Sequence, residues 1–254
     1  MILPDKKDSV HRAWLYRTLS HIFDNSFLAG VLAFKGGTAA AMLGYLDRFS
    51  LDLDFDFLGE SGDIPRARQH MEKIFSLTEL TVRDKSAVIP HYILKYPSAN
   101  DARNTIKIDM ALPPPAANSY EPKRFIEIDR IILCQTRDTM VANKLVAVMD
   151  RYRKTGKVAG RDMYDVHQFF LKGFSYNEGV IRELSGKEPR AFFSDLIEFV
   201  ERHITQQVID QDLNRLLPPE QFKRMRKILK QEALALLRGE LRLLSSSPQA
   251  RGRS

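Results

Sequence analysis

The stretches FKGGT at residues 34–38 and SLDLDFD at residues 50–56 carry the most informative pattern in the sequence. The second stretch alternates apolar and acidic residues, which predicts a strand with Asp52 and Asp54 on one face and the apolar side chains on the other. Two carboxylates this close repel each other unless a cation lies between them, so the strand predicts a hard metal ion such as Mg²⁺. Paired oxygen-rich metal sites suit a displacement at phosphorus. Asp56 extends the acidic face, and we interpret it as a solvated strand end.

A glycine turn precedes the acidic strand. Gly36 and Gly37 allow the backbone to approach a phosphate closely. Thr38 is predicted to cap a helix over residues 39–46, and the free N–H groups at the start of that helix favour an anion. Taken alone, either stretch has an ordinary explanation, as a plain turn or a solvated acidic face. In this order, a phosphate cradle, a helix and a metal-binding strand together favour catalysis.

Outward from these stretches, apolar periodicity predicts an α+β half followed by a helical half. In the first half the predicted helices are 10–27, 39–46 and 65–75, and the predicted strands are 31–35, 50–58, 80–82, 88–96, 105–111, 125–128 and 131–135. In the second half the predicted helices are 140–153, 162–171, 189–203 and 219–244. We therefore expect a small mixed β-sheet core with flanking helices in residues 1–136, a C-terminal helical bundle in residues 137–245 and a flexible tail in residues 246–254.

Further charged residues lie in apolar surroundings. Asp109 interrupts an apolar strand and needs a partner, for which a metal ion is suitable, and Lys107 on the same face forms either an ion pair or a phosphate contact. Lys144, in an apolar helical stretch, either reaches the solvent at the helix edge or points at a triphosphate. Asp162 and Asp165 share one side of a helix, where Asp162 is alternatively an N-terminal cap.

Four motifs in this chain resemble those of one family. After the Gly-Gly-Thr turn, the segment RFSLDLDF at residues 48–55 resembles the first motif of the AbiEii/AbiGii toxin family, within the DNA polymerase β-like nucleotidyltransferase superfamily. The segments TIKIDM at 105–110, ANKL at 142–145 and RDMYDV at 161–166 resemble the second, third and fourth motifs. The first motif is shared across the superfamily, whereas the set of four is more specific to this family.

The resemblance implies a site. Three carboxylates would hold Mg²⁺, and a second set of residues would hold the triphosphate of an NTP. The carboxylates are Asp52, Asp54 and Asp109, and the triphosphate set is Gly36, Gly37, Thr38, Ser50 and Lys144. An acid of the fourth motif would serve the same site, and we prefer Asp162 to Asp165 for that role. Residues 1–136 would then be the nucleotidyltransferase core.

The resemblance also implies partners. It predicts a toxin of a toxin–antitoxin system that transfers NMP from an NTP to an acceptor such as tRNA, releases pyrophosphate and is paired with an antitoxin from a neighbouring gene. One alternative is nucleotidyl transfer to a small molecule or a protein. Another is a catalytically silent module that binds a nucleotide or RNA. The three retained acids argue against the silent module, because losing a metal ligand is a simple route to inactivity.

Composition and charge exclude several classes of protein. Of 254 residues, 44% are hydrophobic and 28% are charged, and no run of 18 apolar residues predicts a membrane-spanning helix. The N-terminus lacks the apolar run of a secretory signal, and the single cysteine, Cys134, excludes an intrachain disulfide and a cysteine-based zinc site. We therefore expect a cytoplasmic protein.

The formal net charge is +7, which suits an anionic partner. Four basic residues recur at three- and four-residue spacing on the last predicted helix and form what we call the basic stripe, namely Lys223, Arg226, Lys227 and Lys230. The stripe either contacts RNA phosphates or is a solvated helix face, and the stretch 151–157 is the alternative place for RNA.

Overall fold

The computed structural model describes residues 1–86, 90–98 and 103–246. The described chain separates into two compact units. The first unit consists of Met1–Pro114 and Asn118–Thr136. The second consists of Pro115–Ala117 and the described residues from Arg137 onward.

The first unit is built on a mixed β-sheet, for which the described residues supply seven strands in the order β3-β4-β5-β2-β1-β7-β6. The strands are β1 (Leu32–Lys35), β2 (Asp52–Phe57), β3 (Thr81–Lys85), β4 (Tyr92–Lys95), β5 (Thr105–Ala111), β6 (Tyr120–Phe125) and β7 (Arg130–Gln135). The pairs β2–β5 and β1–β7 are parallel, and the other neighbours are antiparallel. The central strand β2 therefore has an antiparallel neighbour on one side and a parallel neighbour on the other.

Four helices belong to the first unit within its described residues: α1 (Asp8–Asp24), α2 (Ser26–Val31), α3 (Gly36–Met42) and α4 (Ile64–Leu77). Helix α1 buries the apolar stripe that its sequence predicts, with Leu15 and Leu19 fully inaccessible. The ring of Phe23 in α1 lies 6.0 Å from the ring of Phe55 in β2. Because Phe55 and the acids of β2 point to opposite faces, α1 covers the apolar face of the sheet.

The regular secondary structure of the second unit is helical within its described residues. Its helices are α5 (Arg137–Thr155), α6 (Gly160–Leu171), α7 (Glu178–Ser185), α8 (Pro189–His203), α9 (Gln206–Leu213) and α10 (Pro219–Ser246). The long helix α10 packs against α6, α8 and α9, and α5 packs against α6, α7 and α8. The core between them contains fully buried side chains such as Met163, Phe192 and Leu229.

The predicted fold class, an α+β core followed by a helical bundle, is confirmed, although several element boundaries are wrong. The predicted helix 10–27 ends at Asp24, because the side chain of Asn25 accepts a hydrogen bond from the Leu28 N–H and starts a second helix. The predicted strand 125–128 is instead the end of β6 followed by a 3₁₀ turn. Helices α7 and α9 are too short to give a clear periodic signal and were not predicted.

Two predicted segments reach beyond the described residues. The predicted strand 88–96 is observed from Tyr92 to Lys95, and residues 87–89 lie outside the described chain. The predicted tail begins one residue early, since Ser246 is the last residue of α10, and residues 247–254 also lie outside the described chain. Among the described helices, none combines the length and the apolar character needed to cross a bilayer.

Candidate active site

Strands β2 and β5 bring the predicted carboxylates together. Leu53 and Phe55 are fully buried, while Asp52 and Asp54 on the opposite face are half-buried. In the parallel pairing with β5, Asp54 lies directly opposite Asp109. Neighbouring strands are about 4.8 Å apart, so Asp54 and Asp109 begin from adjacent points of the same face. We call the surface formed by Asp52, Asp54 and Asp109 the carboxylate face.

The glycine turn lies against the carboxylate face. Gly36 has a φ of +79°, and a Cβ added there would lie 2.3 Å from Asp54 Oδ2. A Cβ on Gly37 would lie 2.5 Å from an Arg48 side-chain nitrogen and 3.0 Å from Ser50 Oγ. The two glycines are therefore required for the close approach of the turn to the side chains of Asp54, Arg48 and Ser50.

Thr38 lies at a different position in its helix from the predicted one. Helix α3 begins at Gly36, so Thr38 lies inside the helix and does not cap it. Its side chain is fully buried, and its hydroxyl donates a hydrogen bond of 2.5 Å to the backbone oxygen of Asp52. The prediction of a Thr38 cap is wrong because this hydroxyl bonds to β2 rather than to its own helix. The bond fixes α3 to the first residue of the acidic strand.

Asp109 has two partners within the sheet. The Nδ1 atom of His91 contacts Asp109 Oδ1, and the ammonium of Lys107 contacts Asp109 Oδ2. The observed ion pair of Lys107 is one of the two alternatives that the sequence allows. Sequence reasoning missed His91, because the six histidines show no ligand spacing. Only the antiparallel register of β4 and β5, in which Tyr92 pairs with Ile108, places His91 next to Asp109.

The donor types of the carboxylate face fit a divalent cation, since carboxylate oxygens are the ligands that Mg²⁺ prefers. The register between β2 and β5 also fits a divalent cation, because it places the carboxylates of Asp54 and Asp109 side by side. The side-chain positions do not form a ready site: within the described residues, no group of three or more His, Cys, Asp or Glu side chains is arranged to hold a metal ion. His91 and Lys107 engage both oxygens of Asp109, so this carboxylate would have to exchange partners on metal binding.

The interpretation of Asp56 as a solvated strand end is wrong. Its side chain is fully inaccessible. Its Oδ1 lies 2.5 Å from the ammonium of Lys35, and its Oδ2 accepts hydrogen bonds from three neutral side chains. These are the side-chain amide of Asn118 at 3.0 Å, the hydroxyl of Tyr120 at 2.9 Å and the side-chain amide of Gln135 at 2.6 Å. Asp56 is thus the centre of a buried polar network within the first unit.

The second unit holds a separate buried ion cluster. Asp162 and Asp165 are 1% and 0% exposed, and the ammonium of Lys144 lies 3.0 Å from Asp162 and 3.1 Å from Asp165. Arg151 donates a hydrogen bond of 3.0 Å to Asp162. Burial by itself raises the pKa of the Asp162 carboxyl, but the charges of Lys144 and Arg151 outweigh it and lower the pKa to about 2. Both candidate acids of the fourth motif therefore bind Lys144.

The basic stripe lies on α10 as predicted, and most of its charges have partners in the second unit. Lys223 pairs with Glu220 at 2.7 Å, Arg226 donates through Nε to Asp210 at 2.9 Å, and Lys230 donates to the backbone oxygen of Glu201 at 2.8 Å. For Lys227 the described residues supply no ion pair. The stripe is therefore less uniform as a phosphate-binding surface than its spacing suggests.

Known proteins share both the sequence pattern and the fold. A family model described as "Nucleotidyl transferase AbiEii toxin, Type IV TA system" matches residues 17–236. No curated protein matches the chain significantly in sequence.

Three solved structures resemble the chain over nearly its whole length. One is a candidate nucleotidyltransferase from Helicobacter pylori, with 18% identity, a TM-score of 0.59 and coverage of 94% of this chain and 98% of that one. The second is JHP933 from Helicobacter pylori, with 19% identity, a TM-score of 0.55 and 97% coverage of both chains. The third is the nucleotidyltransferase toxin MenT4 from Mycobacterium tuberculosis, with 18% identity, a TM-score of 0.53 and coverage of 94% and 93%. At these identities the likeness shows a common fold.

Proposed function

The chain belongs to the AbiEii family of nucleotidyltransferase toxins, and on that premise we propose that it transfers NMP from an NTP to tRNA in a Mg²⁺-dependent reaction that releases pyrophosphate. Membership in the family confirms the resemblance of the four motifs. It makes the protein a toxin-type nucleotidyltransferase with an antitoxin counterpart. The metal, the acceptor and the residue roles are the proposed part.

The observation that carries the proposal is the carboxylate face beside the glycine turn. The Asp54 carboxylate lies so close to Gly36 that it fills the place where a Cβ would be. Asp54 also lies opposite Asp109 on the neighbouring strand. An acidic pair that lies against a glycine turn suits a metal-bound polyphosphate. We propose that Asp52, Asp54 and Asp109 hold Mg²⁺ there. When bound, the ion would neutralise charge on the phosphates and polarise the α-phosphate.

The remaining residues of the first unit orient the nucleotide in this proposal. Gly36, Gly37, Thr38 and Ser50 hold the triphosphate at the turn in this proposal, as the resemblance implies. The hydroxyl of Thr38 also donates to the backbone oxygen of Asp52, which supports the turn from the acidic strand. His91 and Lys107 hold Asp109 in place until the nucleotide and metal enter.

In the second unit, Lys144 is the proposed triphosphate contact, and Asp162 serves it by holding the ammonium. Asp165 shares that contact, so the preference for Asp162 rests on its second bond, to Arg151. A lysine held by two buried carboxylates loses rotamer freedom before a ligand arrives. Such a preorganised cation is suited to binding a phosphate.

The charge of the chain supports an RNA acceptor. A net charge of +7 suits a polyanionic partner, and an RNA with a free hydroxyl supplies the nucleophile for attack on the α-phosphate. tRNA and NTP meet in the cytoplasm, where we place the reaction. The antitoxin is proposed to come from a neighbouring gene, and co-expression of that gene should relieve the growth arrest caused by the chain alone.

The test is transfer of label from each of the four α-³²P NTPs into total tRNA by the purified protein. We expect label in tRNA with at least one NTP and Mg²⁺, and none with EDTA or with Asp54→Asn. Parallel reactions with total protein and with small-molecule hydroxyl acceptors separate the alternatives. Label in one of those fractions alone would overturn the tRNA acceptor, and no label in any fraction would overturn the enzymatic proposal.

A further inference from the structure

Lys35 lies at the junction of the carboxylate face and the glycine turn. It is the last residue of β1, and Gly36 follows it directly. In the antiparallel pairing of β1 with β2, Lys35 lies opposite Asp54. Directly opposite residues of an antiparallel pair share a face of the sheet, so Lys35 projects from the same face as Asp54. A cation therefore lies beside the proposed binding position of the triphosphate.

The polar network around Asp56 determines where the Lys35 ammonium sits. Lys35 Nζ lies 2.5 Å from Asp56 Oδ1, and the Lys35 side chain is 21% exposed while that of Asp56 is fully buried. The three neutral donors on Asp56 Oδ2 come from Asn118, Tyr120 and Gln135. Burial, followed by the charge of Asp56, raises the pKa of Tyr120, which keeps its hydroxyl protonated as a donor. Asp56 is thus fixed from one side by neutral groups and holds Lys35 on the other.

We propose that Lys35 binds the triphosphate of the nucleotide and that Asp56 is a positioning residue that holds Lys35 for this contact. The inference rests on the proposed function of the carboxylate face. A lysine ammonium has three N–H donors, and the bond to Asp56 uses one of them. The ion pair restricts a flexible side chain in advance, so less rotamer freedom is lost when a phosphate binds. Asp56 keeps its three neutral donors throughout.

A purely structural role of Lys35 is the rival explanation. A buried carboxylate needs a compensating charge, and Lys35 supplies one whether or not a ligand binds. The two explanations differ when both charges are removed together. If Lys35 only compensates Asp56, the pair Lys35→Met and Asp56→Asn restores a normal protein. If Lys35 binds phosphate, the double variant folds well and still binds the nucleotide poorly.

The experiment compares wild type, Lys35→Met, Asp56→Asn and the double variant. Thermal unfolding reports the fold. Equilibrium binding is measured with Mg²⁺ and the α,β-methylene analogues of the four NTPs, and with inorganic tripolyphosphate. The new amide in Asp56→Asn can be satisfied because the amides of Asn118 and Gln135 can rotate, so this variant should fold. The control is the double variant Lys123→Met with Glu121→Gln, which removes a lysine–glutamate pair of 3.0 Å from the edge strand β6.

We expect Lys35→Met to unfold at a lower temperature than wild type and the double variant to recover most of that loss. The double variant should bind the best analogue and tripolyphosphate at least tenfold more weakly than wild type, while the control binds normally. Asp56→Asn alone should weaken binding several-fold, and its effect on turnover should appear in the KM for NTP rather than in kcat.

Wild-type affinity in the stable double variant would overturn the inference and leave the proposed function in place. Failure of wild type to bind any of the analogues or tripolyphosphate would overturn both, so the two failures are distinguishable. If Lys35→Met does not fold, the double variant and Asp56→Asn still decide the question.

Discussion

The carboxylate face of the first unit and the ion cluster of the second unit use acidic residues in opposite ways. Asp109 is 35% exposed and is held by His91 and Lys107, whereas Asp162 is 1% exposed and is held by Lys144 and Arg151. A half-exposed carboxylate can exchange partners at little cost, because water screens it. A buried carboxylate cannot lose its partners without leaving an uncompensated charge. The comparison assigns direct ligand binding to the acids of the first group, and to the acids of the second group the stability of the buried cluster that holds Lys144.

The largest expected effect is the loss of activity in Asp54→Asn. Replacing a carboxylate that binds a catalytic metal ion should lower kcat/KM by a factor on the order of 10³ or more, about 4 kcal/mol of transition-state stabilisation. The fold should be retained, because removing one charge reduces repulsion on the carboxylate face. Steady-state transfer assays combined with thermal unfolding check both parts. Near-normal turnover would remove Asp54 from the mechanism.

The second effect is the loss of stability in Asp162→Ala. Asp162→Ala removes one of the two carboxylates that hold Lys144 and the acceptor of Arg151, and the expected cost is about 3 kcal/mol in the free energy of unfolding. Urea denaturation of Asp162→Ala beside Asp54→Ala measures the contrast. Equal stabilities of the two variants would show that burial does not separate the two groups of acids.

The acid sensitivity of Asp162 should reveal the same contrast without a mutation. Its folded-state pKa of about 2 lies below the ordinary value of 3.8, so the unfolded state binds the proton more readily. The stabilisation, about 2 kcal/mol, is therefore complete above about pH 4 and is lost as the pH falls from 4 towards 2. Urea unfolding of wild type across this range should show a steeper decline than that of Asp162→Asn. Parallel declines would mean that other groups control acid unfolding.

A smaller effect on activity should distinguish two glycines of the first unit, Gly36 and Gly44. Gly36 and Gly44 both have a positive φ, +79° and +73°, but only at Gly36 would a Cβ meet another atom within 4 Å, namely Asp54 Oδ2. Alanine at either position should cost about 1 kcal/mol of stability through the backbone. Only Gly36→Ala should also reduce transfer activity, because it displaces Asp54. Equal activity in both variants would show that the close approach of Gly36 to Asp54 is unimportant.

The basic stripe is expected to give the smallest effect. Each phosphate contact that is removed should lower the slope of log affinity against log salt by roughly 0.7–0.9. Lys223 and Arg226 are already paired with Glu220 and Asp210, so we expect a change of this size from Lys227→Gln and smaller changes from Lys223→Gln and Arg226→Gln. Binding of tRNA at several salt concentrations measures the slopes. If all three slopes stay at the wild-type value, α10 is only a solvated surface and RNA binding must be sought in residues 151–157.

The sequence was sufficient for the parts of the site that depend on local periodicity. The alternation around Asp52 and Asp54 predicts both the strand and its buried face, and the structure bears out the strand and the α+β fold class. The pairing of Asp54 with Asp109 is a matter of strand register between segments far apart in the chain, so the sequence could only suggest that the two acids meet.

The predictions that are wrong concern side chains whose contacts come from residues far away in the sequence. Asp56 was interpreted as solvated because its alternation matches that of Asp52 and Asp54, yet its partners lie 62, 64 and 79 positions away in Asn118, Tyr120 and Gln135. No local sequence pattern predicts that distant parts of the chain will bury the end of a strand. Similarly, the hydroxyl of Thr38 suits a helix cap, and only the packing of α3 on β2 shows that it bonds to the backbone of Asp52.

We propose that the carboxylate face of the first unit is the metal site of the nucleotidyltransferase. The decisive test is a crystal structure with Mn²⁺ and the α,β-methylene analogue of the preferred NTP, with the anomalous signal of manganese recorded. We expect manganese within coordination distance of Asp54 and Asp109, with Asp109 released from His91 or Lys107. Manganese bound elsewhere, with Asp109 still held by both partners, would show that the carboxylate face is not the metal site.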